Sequence, residues 1–465
     1  MAQAGVQGDL TELWANFASD ITFERLPRET LPVLKGLVLD TIGAALAAST
    51  LGDCCAQVAR MVRGNPGLPE STMLGFGDRV SAPLAALANG ALAHALNFDA
   101  LGGAGGHAGV AAVVAPLAMA ERRGAVNGRE FLASIAVAAE LNARLAGALS
   151  AAGVDANQKF LEGQLLGYMP AALGAGRVLG FTPSRMHNVL GLALMQTAGT
   201  RQVSFEGGAA KAIYGGYANH GAILSVLLAD EGIEARCAAI DGPAGIFGLF
   251  YEGRYEASVM RDGLGQTYHL LDTYFKPWAT SGTLHPFIEA CMELRRQNRF
   301  DAAEIAHIQL RAAPHAKAWL EPVKERRYPK NAATAANSIF FGVAKTLVNG
   351  TMTLADFTPE GLVQPAVLKL ADVVNYALDE QMGDAIEVEV TLRDGRVLQS
   401  RQSGEHRRLG WEQLVEKFRD CAQYAAVPVT SGALEEAIGR IANLEKEEDM
   451  GVLPALLSGR VGRGS

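Results

Sequence analysis

The chain is short of charge, of cysteine and of any long unbroken apolar run. Only 19% of its 465 residues are charged, and 41 basic against 49 acidic residues give a formal charge of −8. A deficit of positive charge excludes a phosphate-tracking surface, so nucleic acid is not an expected partner. With 49% hydrophobic residues, the chain is equally unlike a disordered polymer. The five cysteines (Cys54, Cys55, Cys237, Cys291 and Cys421) are odd in number and form no CxxC pair. They read as reduced thiols of a cytoplasmic protein, with metal ligation as the rival reading. The longest unbroken apolar stretch, Gly109 to Ala120, closes on Glu121, Arg122 and Arg123. It falls short of the ~20 residues a bilayer requires, so no membrane association is expected. The opening MAQAGVQGDLTELW shows no basic-then-apolar signal pattern.

What the chain has in excess is small residues, including 52 glycines. Leu34, Leu37, Val38, Thr41, Ile42 and Ala45 recur at helical spacing, and SAPLAALANGALAHAL, Gly109 to Arg122 and GREFLASIAVAAELNARLAGAL continue in the same style. Alanine and glycine at the apolar positions let helix backbones approach closely, which predicts a tightly packed, mainly α domain. A helix-rich α/β domain is the weaker alternative, because Val/Ile/Thr alternation is scarce in this half. Texture changes after Gly263. AEIAHIQLRA reads as a strand, and AIEVEVTLRDGRVLQS reads as a hairpin turning at Asp394-Gly395. Between them, NAATAANSIFFGVAKTLVNG has helical spacing and a C-cap signal at Asn349-Gly350. The expected architecture is a large helical domain from residues 1–270 and 405–465, with a smaller α+β unit at 271–404 inserted. The closing SGRVGRGS reads as a frayed tail.

Familiar motifs are missing. Gly103-x-Gly105-x-x-Ala108 has the outline of a dinucleotide fingerprint but follows a helix rather than a strand, so it reads as a close-approach loop. There is no P-loop, HExxH or GxSxG. The nine histidines, His406 among them, are scattered with no pair one helical turn apart. No metal site is therefore expected.

Three stretches place polar groups among small residues: ANGALAHALNFDALGGAGGHAG, GTRQVSFEGGAAKAIYGGYANHG and YFKPWATSGTLHPFIEA. With the later AANSIFFGVAKTLVNG, they resemble the MmgE/PrpD family of 2-methylcitrate dehydratase-, cis-aconitate decarboxylase- and iminodisuccinate epimerase-like enzymes. The resemblance implies a two-domain homodimer, with small di- and tricarboxylates bound in a cleft between a helical domain and an α+β lid. It also implies cofactor-free proton abstraction next to a carboxylate of a small acid. Carried over by position, the family's first motif falls on His94, Asn97, Phe98, Asp99 and Leu101, with His107 as its last histidine. Asn97 stands where the family has an acidic residue, and Leu101 where it has a hydroxyl. Leu161, after Phe160, replaces the second histidine. Lys211 and Tyr214 match the lysine motif, Lys276, Pro277, His285 and Pro286 keep the third pattern, and Phe341 replaces the lid tyrosine counted from Ser338.

The resemblance makes His107 the expected proton carrier, Lys211 the carboxylate anchor and Asn97 an orienter, with a helix C-cap as the competing reading of Asn97. Asp99, Leu101, Leu161, Tyr214, Lys276, Ser281, His285 and Phe341 are candidate substrate-binding residues, and Arg201 is a secondary one. Asp99 has a turn-capping alternative, His285 a structural one, and Leu101, Leu161 and Phe341 are otherwise simple core. His94, on an alanine-rich helix, reads as a core histidine. A lyase acting on an acid less charged than citrate is the leading expectation. An isomerase or epimerase, and a catalytically silent paralogue, are the alternatives.

Overall fold

The computed structural model describes residues 9–206, 208–405 and 408–459, so His406 and the 460–465 tail lie outside the described residues. Packing of the backbone divides the chain into two units. The first contains the described residues up to Ala95, then Asp99–Phe275, then those from Leu409 onward. The second contains Leu96–Phe98 and Lys276–Arg408.

The first unit is helical. Its long helices are Thr30–Leu51, Ala82–Ala95, Ala108–Arg123, Gly128–Ala151, Pro183–Gln196 and Tyr214–Asp230. Small residues decide how closely they meet. A Cβ on Gly90 would lie 2.5 Å from the carbonyl oxygen of Gly215, and one on Gly215 would lie 2.7 Å from that of Gly90. The Ala82–Ala95 and Tyr214–Asp230 helices therefore touch backbone to backbone, which no larger residue permits. Asn219 fastens the second of these to the Ala108–Arg123 helix. Its side chain accepts from Ala115 N–H at 3.1 Å and donates to Val110 and Gly215 carbonyls at 3.1 and 2.9 Å.

Thr30–Leu51 is buried on nearly every side rather than along one stripe. Together with Gly128–Ala151 it corrects the search for an unbroken apolar run. By length and composition alone both helices could cross a membrane, but 78% and 94% of their apolar windows are buried inside the protein. The charged groups that interrupt them explain why they escaped notice. Lys35 donates to the Ala442 carbonyl at 2.7 Å, and Asp40 lies 2.6 Å from Lys417 on the Trp411–Ala422 helix. The C-terminal helices thus join the first unit through buried polar contacts. In Gly128–Ala151, Glu140 and Arg144 form a fully buried pair at 2.6 Å, and three backbone carbonyls between Val259 and Thr267 accept from the Arg144 guanidinium.

The second unit carries a four-stranded sheet. Its strands are numbered after a two-residue ribbon in the first unit, β1 (Ser71–Thr72) with β2 (Arg79–Val80). They are β3 (Ile305–Ala312), β4 (Val374–Leu378), β5 (Ile386–Leu392) and β6 (Val397–Gln402), in spatial order β4-β3-β5-β6. Ile386, Val388, Val390 and Leu392 are buried while the residues between them are half-exposed, the period of a sheet with one wet face. β3 pairs parallel to β4, an edge strand too short and mixed in composition to stand out in the sequence. The Ile339–Asn349 helix ends on Gly350 at φ +90, as its C-cap signal predicts.

Candidate active site

Two helices and the loop between them build the densest polar cluster of the first unit. Ala82–Ala95 ends one residue after His94, and Ala108–Arg123 begins one residue after His107. The intervening loop returns on itself. Leu101 and Tyr274 exchange both backbone hydrogen bonds, at 2.9 and 2.7 Å, and Gly102 N–H donates to the Gly106 carbonyl at 3.1 Å. The loop brings three side chains together: His107 Nδ1 donates to Asp99 Oδ2 at 2.6 Å, and His94 Nδ1 lies 3.3 Å from the other Asp99 oxygen. The imidazoles meet edge to face with centroids 4.4 Å apart, and Tyr214 lies 4.0 Å from the His94 ring. That last contact follows from the Gly90–Gly215 approach one helical turn earlier.

Asp99 is completely buried. Burial alone pushes its carboxyl up, but the charges and hydrogen bonds of His107 and His94 outweigh it and hold the group well below the usual carboxylate range. His94 is lowered to about 3, first by burial and then by the nearby charges of His107 and Lys211, so it stays neutral. Burial, followed by the charges of Asp99 and Glu162, drives the Tyr214 phenol well above its ordinary value. With Asp99 ionised and accepting from Nδ1, His107 carries its lone pair on Nε2. Lys211, on the turn Ala209–Ile213 that leads into the Tyr214–Asp230 helix, is near enough for its charge to act on His94.

Several expectations need correction. His94 is buried, as a core histidine should be, and it also belongs to the His94–Asp99–His107 cluster. Asp99 is turned toward the two imidazoles. The histidines are also less scattered than their numbers suggest, since residues 13 apart in sequence converge here. His94 and His107 nitrogens and an Asp99 oxygen lie within 4.8 Å of one another, a donor set that could hold a metal ion. Zinc would need each donor at about 2.0–2.2 Å. The 2.6 Å His107–Asp99 separation is that of a charge-assisted hydrogen bond.

The remaining candidates divide between the units. In the first, Leu101 contributes backbone pairing, and buried Leu161 donates its N–H to the Gly199 carbonyl. The Arg201 guanidinium donates to the Asn157 carbonyl. In the second, Asn97 adopts φ +52 just past its helix, the left-handed C-cap conformation. Its carbonyl and Oδ1 both accept from the fully buried Lys276 at 2.8 Å. That side-chain oxygen is thus engaged by a lysine and is not positioned as an orienter. Ser281 joins Ala336 through its backbone N–H, His285 is buried edge-on to Trp278, and Phe341 is fully buried beneath the Lys345 ammonium. Phe341 is therefore core.

Glu162 was not anticipated. It stands at the start of the Glu162–Leu165 turn, buried, with Asn157 Nδ2 donating to it at 2.6 Å. Its neighbour Gly163 lies so close to the cluster that a Cβ there would come 2.5 Å from Tyr214 Oη and 2.9 Å from His107 Cδ2. A buried acid beside the position of the replaced histidine was the one available signal.

Comparison with known proteins identifies the family. Residues 12–257 match the MmgE/PrpD N-terminal domain, and residues 278–440 match the MmgE/PrpD C-terminal domain. The chain belongs to the MmgE/PrpD family. Its similar relatives include a cis-aconitate decarboxylase of Aspergillus terreus, 25% identical over 82% of this chain and 80% of that protein. The cis-aconitate decarboxylase of Homo sapiens is 26% identical over 97% of this chain and 95% of its own length. A cis-aconitate decarboxylase-like protein of Aspergillus oryzae is 24% identical over 98% of each chain.

Proposed function

We propose that this MmgE/PrpD member is a cofactor-independent lyase of carboxy-lyase type, acting on a small carboxylic acid. The observation that carries the reading is the 2.6 Å His107–Asp99 hydrogen bond, with Asp99 buried and held ionised. A buried carboxylate behind an imidazole fixes its tautomer and favours its protonated form when a proton arrives. In the proposed step the C–C bond to one carboxylate breaks and CO2 leaves. The electron pair spreads toward a neighbouring carboxylate held by the Lys211 ammonium, and His107, having first taken up a proton from solvent on Nε2, gives that proton to the carbon. The names of the relatives support this direction and make cis-aconitate the first substrate to test.

The proton inventory also favours it. His94 is held neutral and the Tyr214 phenol is made a weak acid, so the reading uses His107 as its carrier, and decarboxylation needs one proton. Dehydration needs a second acid for the leaving hydroxyl, and epimerisation needs a proton removed and another returned. Incubation in D2O with mono-, di- and tricarboxylates, followed by NMR, separates these outcomes. CO2 release with one deuterium in the product supports the proposal. Exchange without net loss indicates an epimerase, and loss of water a dehydratase. No turnover, with no thermal stabilisation by any acid, indicates a silent paralogue.

The reading includes a cytoplasmic homodimer. Tyr217 and Leu228 are exposed on one face of the Tyr214–Asp230 helix, and Met195 is exposed on the helix packed beside it, an apolar strip suited to a second copy. Light scattering is expected to give twice the 49.0 kDa chain mass, and a monomer contradicts this part.

A further inference from the structure

The segment that walls the imidazole on one side also grips the loop from which it projects. The Gly106 N–H, one residue before His107, favours the charge of the Glu162 carboxylate and lowers its pKa. Gly105 lies directly beneath that carboxylate: a Cβ there would come 2.9 Å from Oε1, and its φ of +115 is open only to glycine. Glu162 is fixed in turn by Asn157, which donates to Oε2 at 2.6 Å and accepts from Glu162 N–H at 3.3 Å. The next residue, Gly163, lies against the His107 ring. A single carboxylate thus joins the turn before the imidazole to the wall beside it.

We propose that Glu162 is a positioning residue for His107, holding the Gly105–Gly106 turn through the Gly106 N–H. This rests on His107 being the proton carrier. Asn157 Nδ2–H donates to the carboxylate, and the Gly106 N–H favours its charge, so the ionised form is held more firmly than the neutral one. A protonated carboxyl turns one oxygen into a donor facing them, and the turn loosens. The group is also placed to change state. Burial raises its pKa to about 7, against the Asn157 and Gly106 hydrogen bonds that lower it, and the nearby Asp155 adds to the rise. It forms part of the wall of a recess of about 370 Å3 that Gly105, Ser150, Asp155 and Asn157 also line, which gives protons a route. Around it stand Asp155, Tyr214 and Tyr251, both phenols feeling its charge, Arg201 on the Asn157 carbonyl, and His107.

The test follows amide hydrogen exchange of the peptide spanning residues 101–108 from pH 8 to pH 6, corrected for intrinsic rates, in wild type and Glu162→Gln. Wild-type protection should fall about tenfold through a midpoint near 7, the worth of roughly one charge-assisted hydrogen bond. In E162Q it should be low and independent of pH. The kcat profile with a turned-over acid should lose the matching acidic limb in E162Q, with KM little changed. If E162Q does not fold, Asn157→Ala serves: losing one donor should move the wild-type midpoint to higher pH. Flat protection in wild type, or a midpoint unmoved by either variant, overturns the proposal. Absence of any turnover at all pH values refutes the lyase reading alone, because exchange does not depend on activity.

Discussion

Replacing Asp99 with Asn is the most informative single change in the cluster. It keeps the side chain's size but removes the charge that His107 and His94 share, and it places an amide where two oxygens faced imidazole nitrogens at 2.6 and 3.3 Å. The amide N–H can satisfy His107 Nδ1 only if that nitrogen becomes the acceptor, which moves the ring proton to Nε2. The tautomer is then wrong for taking up a proton, and the imidazolium loses its buried counter-charge. A carboxylate-to-amide change behind a catalytic imidazole costs about 10³–10⁴ in kcat. The expected result is a loss of that size in Asp99→Asn, measured at pH 7–8 with the acid that wild type turns over. Circular dichroism should remain native, and the acid should still raise the Tm. Activity within about threefold of wild type would refute the claim that Asp99 orients His107.

Other consequences concern stability and binding. His94 has a folded pKa of about 3 against 6.5 ordinarily, so between these values the unfolded chain binds a proton that the native state refuses. Stability is therefore lost as pH falls from 6.5 toward 3, about 5 kcal/mol in full at ~1.4 kcal/mol per pH unit. Urea unfolding from pH 6.5 to 4.5 should show that slope in wild type and a shallower one in His94→Gln. Lys417→Met strands Asp40 as a buried unpaired acid and should cost about 3–5 kcal/mol, read as a lower urea midpoint. Adding Asp40→Asn should recover part of it. Lys211→Gln should leave the unliganded Tm nearly unchanged while weakening thermal stabilisation by carboxylates. An equal ligand shift in wild type and variant would exclude Lys211 as the anchor.

Much of this molecule could be read from the residues. Where the pattern was periodic it mattered which period: the alternation of Ile386, Val388, Val390 and Leu392 placed β5, and crowded alanines placed the helices. β4 escaped because VNYAL is short and half polar. The long core helices hid their apolar length behind Lys35, Asp40, Glu140 and Arg144, charges whose partners lie hundreds of residues away or one turn along. Within the candidate site, His107 stood out because a glycine loop offers a histidine no core to join. His94 did not, because an alanine-rich helix looks like core whichever way the imidazole turns. Asp99 was found, but its two imidazole neighbours were not, since sequence does not reveal which way a carboxylate faces. Glu162 joins the cluster only through the fold, with no spacing to announce it.

The decisive measurement is the reaction of His107→Gln in D2O with the acid that wild type decarboxylates. The variant should still be stabilised by that acid, while CO2 release and deuterium delivery to carbon fall together by about 10²–10⁴. If His107→Gln releases CO2 and delivers deuterium at the wild-type rate, the proton comes from elsewhere and this cluster is not the catalytic centre.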